Sequence, residues 1–167
     1  MAETPRFIAD VMLGRLARWL RIVGCDVSWN SRWDDATIAS LAAQEGRWVL
    51  TRDRGLLARR TVRRGLLIDS QQLEQQLQQV AERFGLDFSA GPRFTRCTFC
   101  NQRLEVLDRA EARGRVPPFV WRQQASFSTC RACGRIYWRG SHATLAATHL
   151  TEGRPRPAGG EEIESPP

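Results

Sequence analysis

Four cysteines in the second half of the chain form two pairs with the spacing of metal ligands. Two residues separate the members of each pair, Cys97 with Cys100 and Cys130 with Cys133. This spacing lets the chain turn tightly enough for both sulfurs to reach one ion, so the two pairs together predict one structural Zn²⁺ with four thiolate ligands. The alternative is two disulfides or a redox dithiol. We favour zinc because the sequence shows neither a secretion signal nor an apolar run long enough to span a membrane, which predicts a cytoplasmic protein with reduced thiols.

The residue after each second cysteine supports this interpretation. The chain often needs a left-handed backbone there, which glycine adopts freely and asparagine tolerates. Gly134 follows Cys133, and Asn101 follows Cys100. The fifth cysteine, Cys25, stands alone at the end of an apolar segment and is predicted to be a buried small hydrophobe.

A second set of candidate residues consists of the aspartates Asp10, Asp35, Asp53 and Asp69. Asp10, Asp53 and Asp69 follow predicted strands, whose carboxyl ends share one edge of a parallel sheet, and Asp35 begins a predicted helix. Converging carboxylates repel one another unless a divalent cation neutralises them, so this set predicts a catalytic Mg²⁺ or Mn²⁺ that activates water for attack on a phosphodiester. The alternative is that Asp35 and Asp69 cap helices and that Asp10 and Asp53 are ordinary loop residues.

The elements that would position these acids alternate between strand and helix. Hydrophobic periodicity predicts strands at 6–9, 27–29, 48–50 and 66–68, and helices that end at Gly24, Gly46 and Gly85, with a short one around Leu56 and Leu57. This order predicts an α/β fold with a parallel sheet covered on both faces, over residues 1–90. The zinc module would occupy 91–150, and the Pro-, Gly- and Glu-rich segment 151–167 is predicted to be disordered.

Charge points to a polyanionic partner. All 25 basic residues are arginines, the net charge is +7, and residues 87–150 carry 10 arginines against 4 acidic residues. Arginine pairs bidentately with phosphate and stacks on bases, which favours RNA over a merely solvated basic surface. The candidate RNA-binding residues are Arg15, Arg18, Arg52 and Arg139. Tyr137 and Trp138, beside Arg139, could stack on bases, although burial in the core of a small module is the expectation we favour.

Several long motifs resemble the Mut-seven C-terminal RNase family, a branch of the PIN-like nucleases. They are RFIADVMLGRLARWLR at 6–21, DATI at 35–38, EGRWVLTRDR at 45–54, VPPF at 116–119, CRACG at 130–134 and YWRGSH at 137–142. The resemblance implies a PIN-like αβα sandwich with an appended zinc ribbon. It also implies a metal-dependent ribonuclease that uses Asp10, Asp35 and Asp53; Glu45 is a further candidate, whereas Asp69 is supported by its position after a strand.

The expected function is therefore a metal-dependent, endonucleolytic ribonuclease whose zinc ribbon and arginine surface position the RNA. Two alternatives remain open. One is a non-catalytic RNA- or ribosome-binding adaptor that keeps the nuclease shell, and the other is an interaction module whose ribbon binds a protein partner. Acidic residues at each expected position favour the nuclease over the adaptor.

Overall fold

The computed structural model describes residues 4–89 and 93–139 and, near the C-terminus, the backbone of a strand at Glu162–Glu164. We call residues 4–89 the α/β unit and residues 93–139 the ribbon unit. The α/β unit alternates strand and helix as the sequence predicts. Its elements are β1 (Arg6–Ala9), a 3₁₀ turn (Val11–Leu13), α1 (Gly14–Ile22), β2 (Asp26–Ser28), α2 (Asp35–Glu45), β3 (Trp48–Thr51), α3 (Arg54–Leu57), β4 (Arg64–Leu67) and α4 (Leu73–Phe84).

The central sheet of the α/β unit has four parallel strands in the order β2-β1-β3-β4. Side chains alternate between its two faces because successive residues of a strand point in opposite directions. Phe7 and Leu50 pack with α1 and α4 on one face, whereas Ile8 and Val49 pack with α2 and α3 on the other. The predicted α/β fold with helices on both faces is confirmed.

Local signals set the ends of the helices. The Asp34 side chain accepts a hydrogen bond from the backbone N–H of Thr37 at the start of α2, and Gly46 ends that helix with a left-handed backbone at φ +63°. Strand β4 begins two residues earlier than predicted. Its pairing with β3 nevertheless extends past Leu67, because Ile68 N–H donates to the Thr51 carbonyl at 2.7 Å. Asp69 is therefore one residue beyond the paired segment.

The ribbon unit has little regular structure. It contains β5 (Glu105–Leu107), α5 (Arg109–Ala112), α6 (Pro118–Gln123), β6 (Phe127–Thr129) and β7 (Ile136–Tyr137), and its three strands form an antiparallel sheet in the order β5-β6-β7. Its own hydrophobic cluster is small, with Leu107, Val116, Val120 and Phe127 at its centre and Trp138 packed against it. Trp138 is thus a core residue, as expected.

The segment 151–167 was predicted to be disordered, and within it the structure describes residues 162–164. These residues form β8 (Glu162–Glu164), which pairs antiparallel with the free edge of β4. Edge pairing satisfies backbone groups whatever the side chains are, so composition gave no sign of it. In the part of the chain that the structure describes, no helix has both the length and the apolar character needed to span a membrane.

Candidate functional site

Asp10 is a buried carboxylate at the carboxyl end of the central strand β1. It is 3% exposed. Its Oδ1 accepts a hydrogen bond from the Val11 backbone N–H at 2.6 Å, and its Oδ2 accepts one from the Thr51 hydroxyl at 2.6 Å. No cationic side chain pairs with Asp10 among the described residues. A buried charge is costly unless it is paired or binds a metal ion, so this carboxylate is suited to receive a cation.

Thr51 connects Asp10 to Asp53. The Thr51 hydroxyl that donates to Asp10 also accepts a hydrogen bond from the Asp53 backbone N–H at 2.9 Å. The Asp53 carboxylate is exposed. Its Oδ1 accepts a hydrogen bond from the Gly55 N–H at 2.7 Å, and this contact caps the start of α3. The adjacent strands β1 and β3 therefore present two linked aspartates at one edge. Thr51 was not a predicted site residue, although a hydroxyl two positions before an acid is a local signal for such a turn.

Asp35 and Asp69 lie at the same edge but have other partners. Asp35 is the first residue of α2, and its Oδ2 lies 3.7 Å from a guanidinium nitrogen of Arg59. Asp34, not Asp35, caps that helix. Asp69 is exposed, and its Oδ2 accepts a hydrogen bond from the Gln79 side-chain amide at 3.3 Å. Neither aspartate is hydrogen-bonded to the Asp10–Thr51–Asp53 set.

The spacing of these carboxylates limits how they can bind a metal ion. Among the described residues, the four cysteines are the one group of three or more Cys, His, Asp and Glu side chains whose ligand atoms all lie within 4.8 Å of one another. The four aspartates therefore do not form a compact ligand cage. Mg²⁺ does not need one, since it keeps several waters and binds through one or two carboxylates.

The predicted RNA-binding arginines occupy different environments. Arg15 and Arg18 are exposed on successive turns of α1, next to Asp10 in sequence, and no acidic partner for either is found in residues 4–89 or 93–139. Arg52 is half-buried, and its Nε is buried with no hydrogen-bond acceptor. Arg139 is exposed at the end of the ribbon unit. Glu45, the other acidic candidate, lies at the opposite end of α2 from Asp35 and pairs with Arg47.

The ribbon unit brings its four cysteine sulfurs together. Cys97 Sγ lies 3.6 Å from Cys133 Sγ, and Cys100 Sγ lies 3.3 Å from Cys130 Sγ. Four sulfurs placed tetrahedrally at the usual Zn–S length of 2.3 Å would be about 3.8 Å apart. All five cysteines of the chain are free thiols, which argues against the disulfide alternative, and Cys25 is buried as predicted. The four-cysteine cluster could hold a metal ion such as zinc.

Both cysteine pairs have the same backbone geometry. We call residues 97–101 the first knuckle and residues 130–134 the second. Asn101 N–H donates to the Cys97 carbonyl at 2.9 Å, and Gly134 N–H donates to the Cys130 carbonyl at 2.7 Å. Asn101 and Gly134 both have left-handed backbones, at φ +66° and +73°, which confirms the prediction made for these two positions.

Tyr137 supports the cluster from outside. Its hydroxyl oxygen lies 3.0 Å from Cys97 Sγ and accepts a hydrogen bond from the Thr98 N–H at 3.2 Å. Burial raises the pKa of Tyr137 to about 12, so the phenol keeps its proton and can donate it to sulfur. Burial opposes ionisation of Cys97, but hydrogen bonds from Tyr137 and from backbone N–H groups lower the pKa of its thiol to about 6. A metal-ligating cysteine must be a thiolate, which these contacts favour at Cys97, whereas burial and the neighbouring sulfur of Cys130 raise the pKa of the Cys100 thiol to about 12.

The first knuckle is docked on the α/β unit through buried polar groups. The guanidinium of Arg21, on α1, donates to the carbonyls of Thr98 and Phe99 at 3.0 Å each and to the Val27 carbonyl at 2.9 Å. The Asn101 side chain accepts a hydrogen bond from the Val27 N–H at 3.1 Å, at the free edge of β2. Arg21 was not among the predicted functional residues, because its acceptors lie 77 and 78 positions away in the chain.

Asp26 completes this contact between the two units. It accepts hydrogen bonds from Arg47 at 2.6 Å and from the Asn101 amide at 2.8 Å, and it pairs with Arg96 at 3.2 Å. Burial opposes the charge on Asp26, but the hydrogen bonds from Arg47 and Asn101 hold the pKa of its carboxyl below its usual range. The ribbon unit is therefore held to the α/β unit by a network of ion pairs and hydrogen bonds.

The fold and the site define an α/β protein, in which an αβα sandwich with acids at the carboxyl edge of a parallel sheet is followed by a four-cysteine module. The chain belongs to the Mut7-C RNAse family, since the family model for the Mut7-C RNAse domain matches residues 5–150. The recognition made from the motifs is thereby confirmed, and the family supports a ribonuclease-type function and RNA binding. No curated protein and no solved structure matches the chain.

Proposed function

We propose that this protein is a metal-dependent ribonuclease, with Asp10 and Asp53 as the carboxylates that bind a catalytic Mg²⁺ or Mn²⁺. The observation that carries the proposal is the burial of Asp10 without a cationic partner, next to an exposed Asp53 to which Thr51 links it. Structural anions of this burial are normally paired with Arg or Lys. A carboxylate left for an incoming cation is typical of a metal site.

Each residue would have a distinct task. Asp10 has lone pairs left for an ion after its two hydrogen bonds, and Asp53 has one oxygen with no hydrogen bond among the described residues. The ion, when bound, would polarise a phosphodiester oxygen and lower the pKa of a bound water. Thr51 would hold the two carboxylates in register, and the exposed Arg15 and Arg18 would contact phosphates of the RNA.

Asp35 and Asp69 would act at the margin of this site. One oxygen of Asp35 is paired with Arg59, and the residue is not hydrogen-bonded to the Asp10–Thr51–Asp53 set, so we assign it to orienting metal-bound water. Asp69, held by Gln79, would likewise act through water. The four cysteines would bind one structural Zn²⁺, and the arginine-rich ribbon unit, with Arg139 at its end, would position the RNA for endonucleolytic cleavage. His142, the last residue of the YWRGSH motif, lies outside the described residues.

The test compares Asp10→Asn and Asp53→Asn with a matched control, Asp34→Asn. All three remove one negative charge at the same edge of the sheet, and Asn keeps the side-chain oxygen that caps a helix or turn. Cleavage of single-stranded RNA in Mg²⁺ or Mn²⁺ should fall at least a hundredfold in the first two variants and stay near the unmodified level in Asp34→Asn. Thermal midpoints should remain close in all three.

The fate of cleavage in Asp10→Asn decides the assignment. If cleavage persists there while the thermal midpoint falls, Asp10 is a structural cap and the assignment is wrong. Equal loss in Asp34→Asn would mean that overall charge at this edge, not metal binding, controls the activity.

A non-catalytic RNA-binding adaptor is the second candidate. It is favoured by one observation, namely that the four aspartates do not form a compact set of metal ligands among the described residues. Under this candidate, the unmodified protein binds RNA but cleaves none in any divalent metal, and Asp10→Asn leaves RNA affinity unchanged.

A further inference from the structure

Phe99 is a large aromatic side chain that the fold leaves exposed. It lies in the middle of the first knuckle and is 63% exposed. Two other aromatic residues near the cysteines make contacts within the ribbon unit. Tyr137 contacts Cys97, and Trp138 packs on the ribbon core. Phe99 therefore contributes little to the core of either unit.

Arg135 pairs with Phe99 across the two knuckles. Its guanidinium carbon lies 3.9 Å from the centre of the Phe99 ring, in a cation–π contact. Arg135 directly follows the second knuckle, is exposed, and has no acidic partner among the described residues. The guanidinium lies over one face of the ring, and the ring remains 63% exposed, so the two groups form a cationic aromatic stack carried by both knuckles.

The backbone under this surface is fixed. The Phe99 carbonyl accepts a hydrogen bond from buried Arg21, and the residue is flanked by Cys97 and Cys100 of the four-cysteine cluster. Ordering a flexible aromatic side chain on binding costs free energy, and a rigid backbone reduces that cost. Phe99 is thus presented to solvent from a pre-organised position.

We propose that Phe99 and Arg135 form a stacking platform for an unpaired base of single-stranded RNA. Base–aromatic stacking needs an exposed ring face, and arginine adds a second planar, cationic surface that also neutralises phosphate. Exposed Arg103, two residues after the first knuckle in the sequence, adds to the positive charge of the ribbon unit. This charge favours RNA over an apolar protein surface. The inference deepens the proposed ribonuclease function by naming a substrate-binding site away from the aspartates.

The platform lies at some distance from the candidate active site. Helix α1 starts beside Asp10 at the carboxyl edge of the sheet, and Arg21 near its end contacts the first knuckle. Nine residues of helix rise about 13 Å. Exposed Arg15 and Arg18 lie on α1 between its two ends, so an RNA strand that followed this helix from Phe99 to Asp10 would meet positive charge along it.

The experiment measures binding of fluorescein-labelled oligouridine to the full-length protein, without added Mg²⁺ or Mn²⁺, by fluorescence anisotropy. The matched control is Phe119→Ala, because Phe119 is also exposed, at 59%, but lies on α6. Phe99→Ala should raise Kd roughly 5- to 150-fold, which is the value of one stacked base. Phe119→Ala should leave Kd unchanged. Metal content, measured for each variant, should remain at the unmodified level because Phe99 is not a ligand.

Two further variants and a second probe separate stacking from other contacts. Phe99→Trp keeps a ring and should bind at least as tightly as the unmodified protein, whereas Phe99→Leu keeps apolar bulk but should bind as weakly as Phe99→Ala. Duplex RNA has no unpaired base, so its Kd should not change in Phe99→Ala.

Three results would overturn the platform. The first is equal RNA affinity of Phe99→Ala and Phe119→Ala. The second is full RNA affinity of Phe99→Leu, which would mean an apolar contact of the kind that binds proteins. The third is no binding of oligouridine by the unmodified protein. The proposed nuclease activity is tested independently of the platform. Cleavage that depends on Asp10 but not on Phe99 would reject only the platform, and Phe99-dependent binding without cleavage would reject only the nuclease.

Discussion

The α/β unit and the ribbon unit are stabilised in different ways. The α/β unit has two hydrophobic clusters, one on each face of its sheet, with Phe7, Ile8 and Leu50 fully buried. The ribbon unit has one small hydrophobic cluster and short strands, and it contains four clustered cysteines of which Cys97 and Cys130 are buried. A module of this size rarely buries enough apolar surface to fold alone, and a metal ion held by the four cysteines would supply the difference.

The contact between the units shows a second difference. The first knuckle is held to the α/β unit by Arg21, Asp26 and Asn101, whereas the described contacts give the second knuckle no such link. Fully hydrogen-bonded polar contacts define a unique arrangement, because each buried group left without a partner costs free energy. The ribbon unit is therefore positioned on the α/β unit by specific polar groups.

The largest effect should follow from removing one metal ligand. Cys130→Ser should lose bound zinc and unfold the ribbon unit, since a structural zinc site supplies roughly 10–16 kcal/mol of binding free energy. The α/β unit should keep its own cooperative thermal transition. Metal analysis and calorimetry measure the two outcomes.

Cys25→Ala is the matched control, because Cys25 is equally a cysteine but lies in the α/β core. It should keep about one zinc per chain and lower the stability only of the α/β unit. Loss of the whole fold in Cys130→Ser, in a single transition, would contradict the idea that the two units have separate sources of stability.

A core truncation in the α/β unit should lower the stability of that unit and leave the zinc content unchanged, which is the opposite of the effect of Cys130→Ser. Leu50→Ala removes a fully buried side chain from the central strand β3 and should cost about 2–5 kcal/mol of unfolding free energy, with the zinc content unchanged. Val106→Ala in the ribbon unit, at a position that is 89% exposed, should change stability by at most about 0.5 kcal/mol. Chemical denaturation measures both, and comparable losses in the two variants would be evidence against this comparison.

The docking contact can be weakened without changing the backbone of the knuckle. Asn101→Gly keeps the left-handed conformation but leaves the Val27 N–H without its acceptor, which should cost about 1–3 kcal/mol. Gly134→Asn is the reciprocal control, because no atom lies within 4 Å of a Cβ placed there and Asn tolerates the conformation. Hydrogen exchange of the β2 amides should increase in Asn101→Gly alone. Equal exchange in both variants would show that the knuckle does not protect this edge.

The smallest expected effect concerns the charge of the ribbon unit. RNA affinity should fall steeply with salt, because each neutralised phosphate of a single strand contributes a slope of about −0.7 to log K against log salt. Arg139→Gln should reduce the steepness of that slope by about 0.7, the contribution of one phosphate. Arg63→Gln, at an exposed position of the α/β unit just before β4, should leave the slope unchanged. A titration at several salt concentrations tests this, and a flat dependence in the unmodified protein would instead favour the protein-interaction alternative.

Local sequence signals were sufficient for much of the fold. Hydrophobic periodicity located β1, α2 and α4, and glycines marked where α2 and α4 end, because these features depend on residues within one or two turns. Asn101 and Gly134 were predicted to be left-handed for the same reason. The spacing of the cysteines also predicted the four-cysteine cluster, since each pair forms its knuckle from consecutive residues.

The candidate active site was predictable in outline but not in its contacts. The alternation of strands and helices placed four aspartates at one edge, yet only the register between β1 and β3 decided that Thr51 joins Asp10 to Asp53. The alternation of strands and helices did not predict that Asp35 pairs with Arg59. Side-chain partners across a sheet depend on strand register, which a single segment does not encode.

The sequence by itself determined the order of the elements, the α/β fold, the paired cysteines and the family. Only the tertiary structure decided that Arg21 reaches the first knuckle, that Tyr137 contacts Cys97 and that Phe99 faces solvent beside Arg135. Each of these contacts joins residues 36 to 77 positions apart. The physical reason is that periodicity and turn chemistry act over a few residues, whereas burial and hydrogen-bond partners are fixed when separate segments pack together.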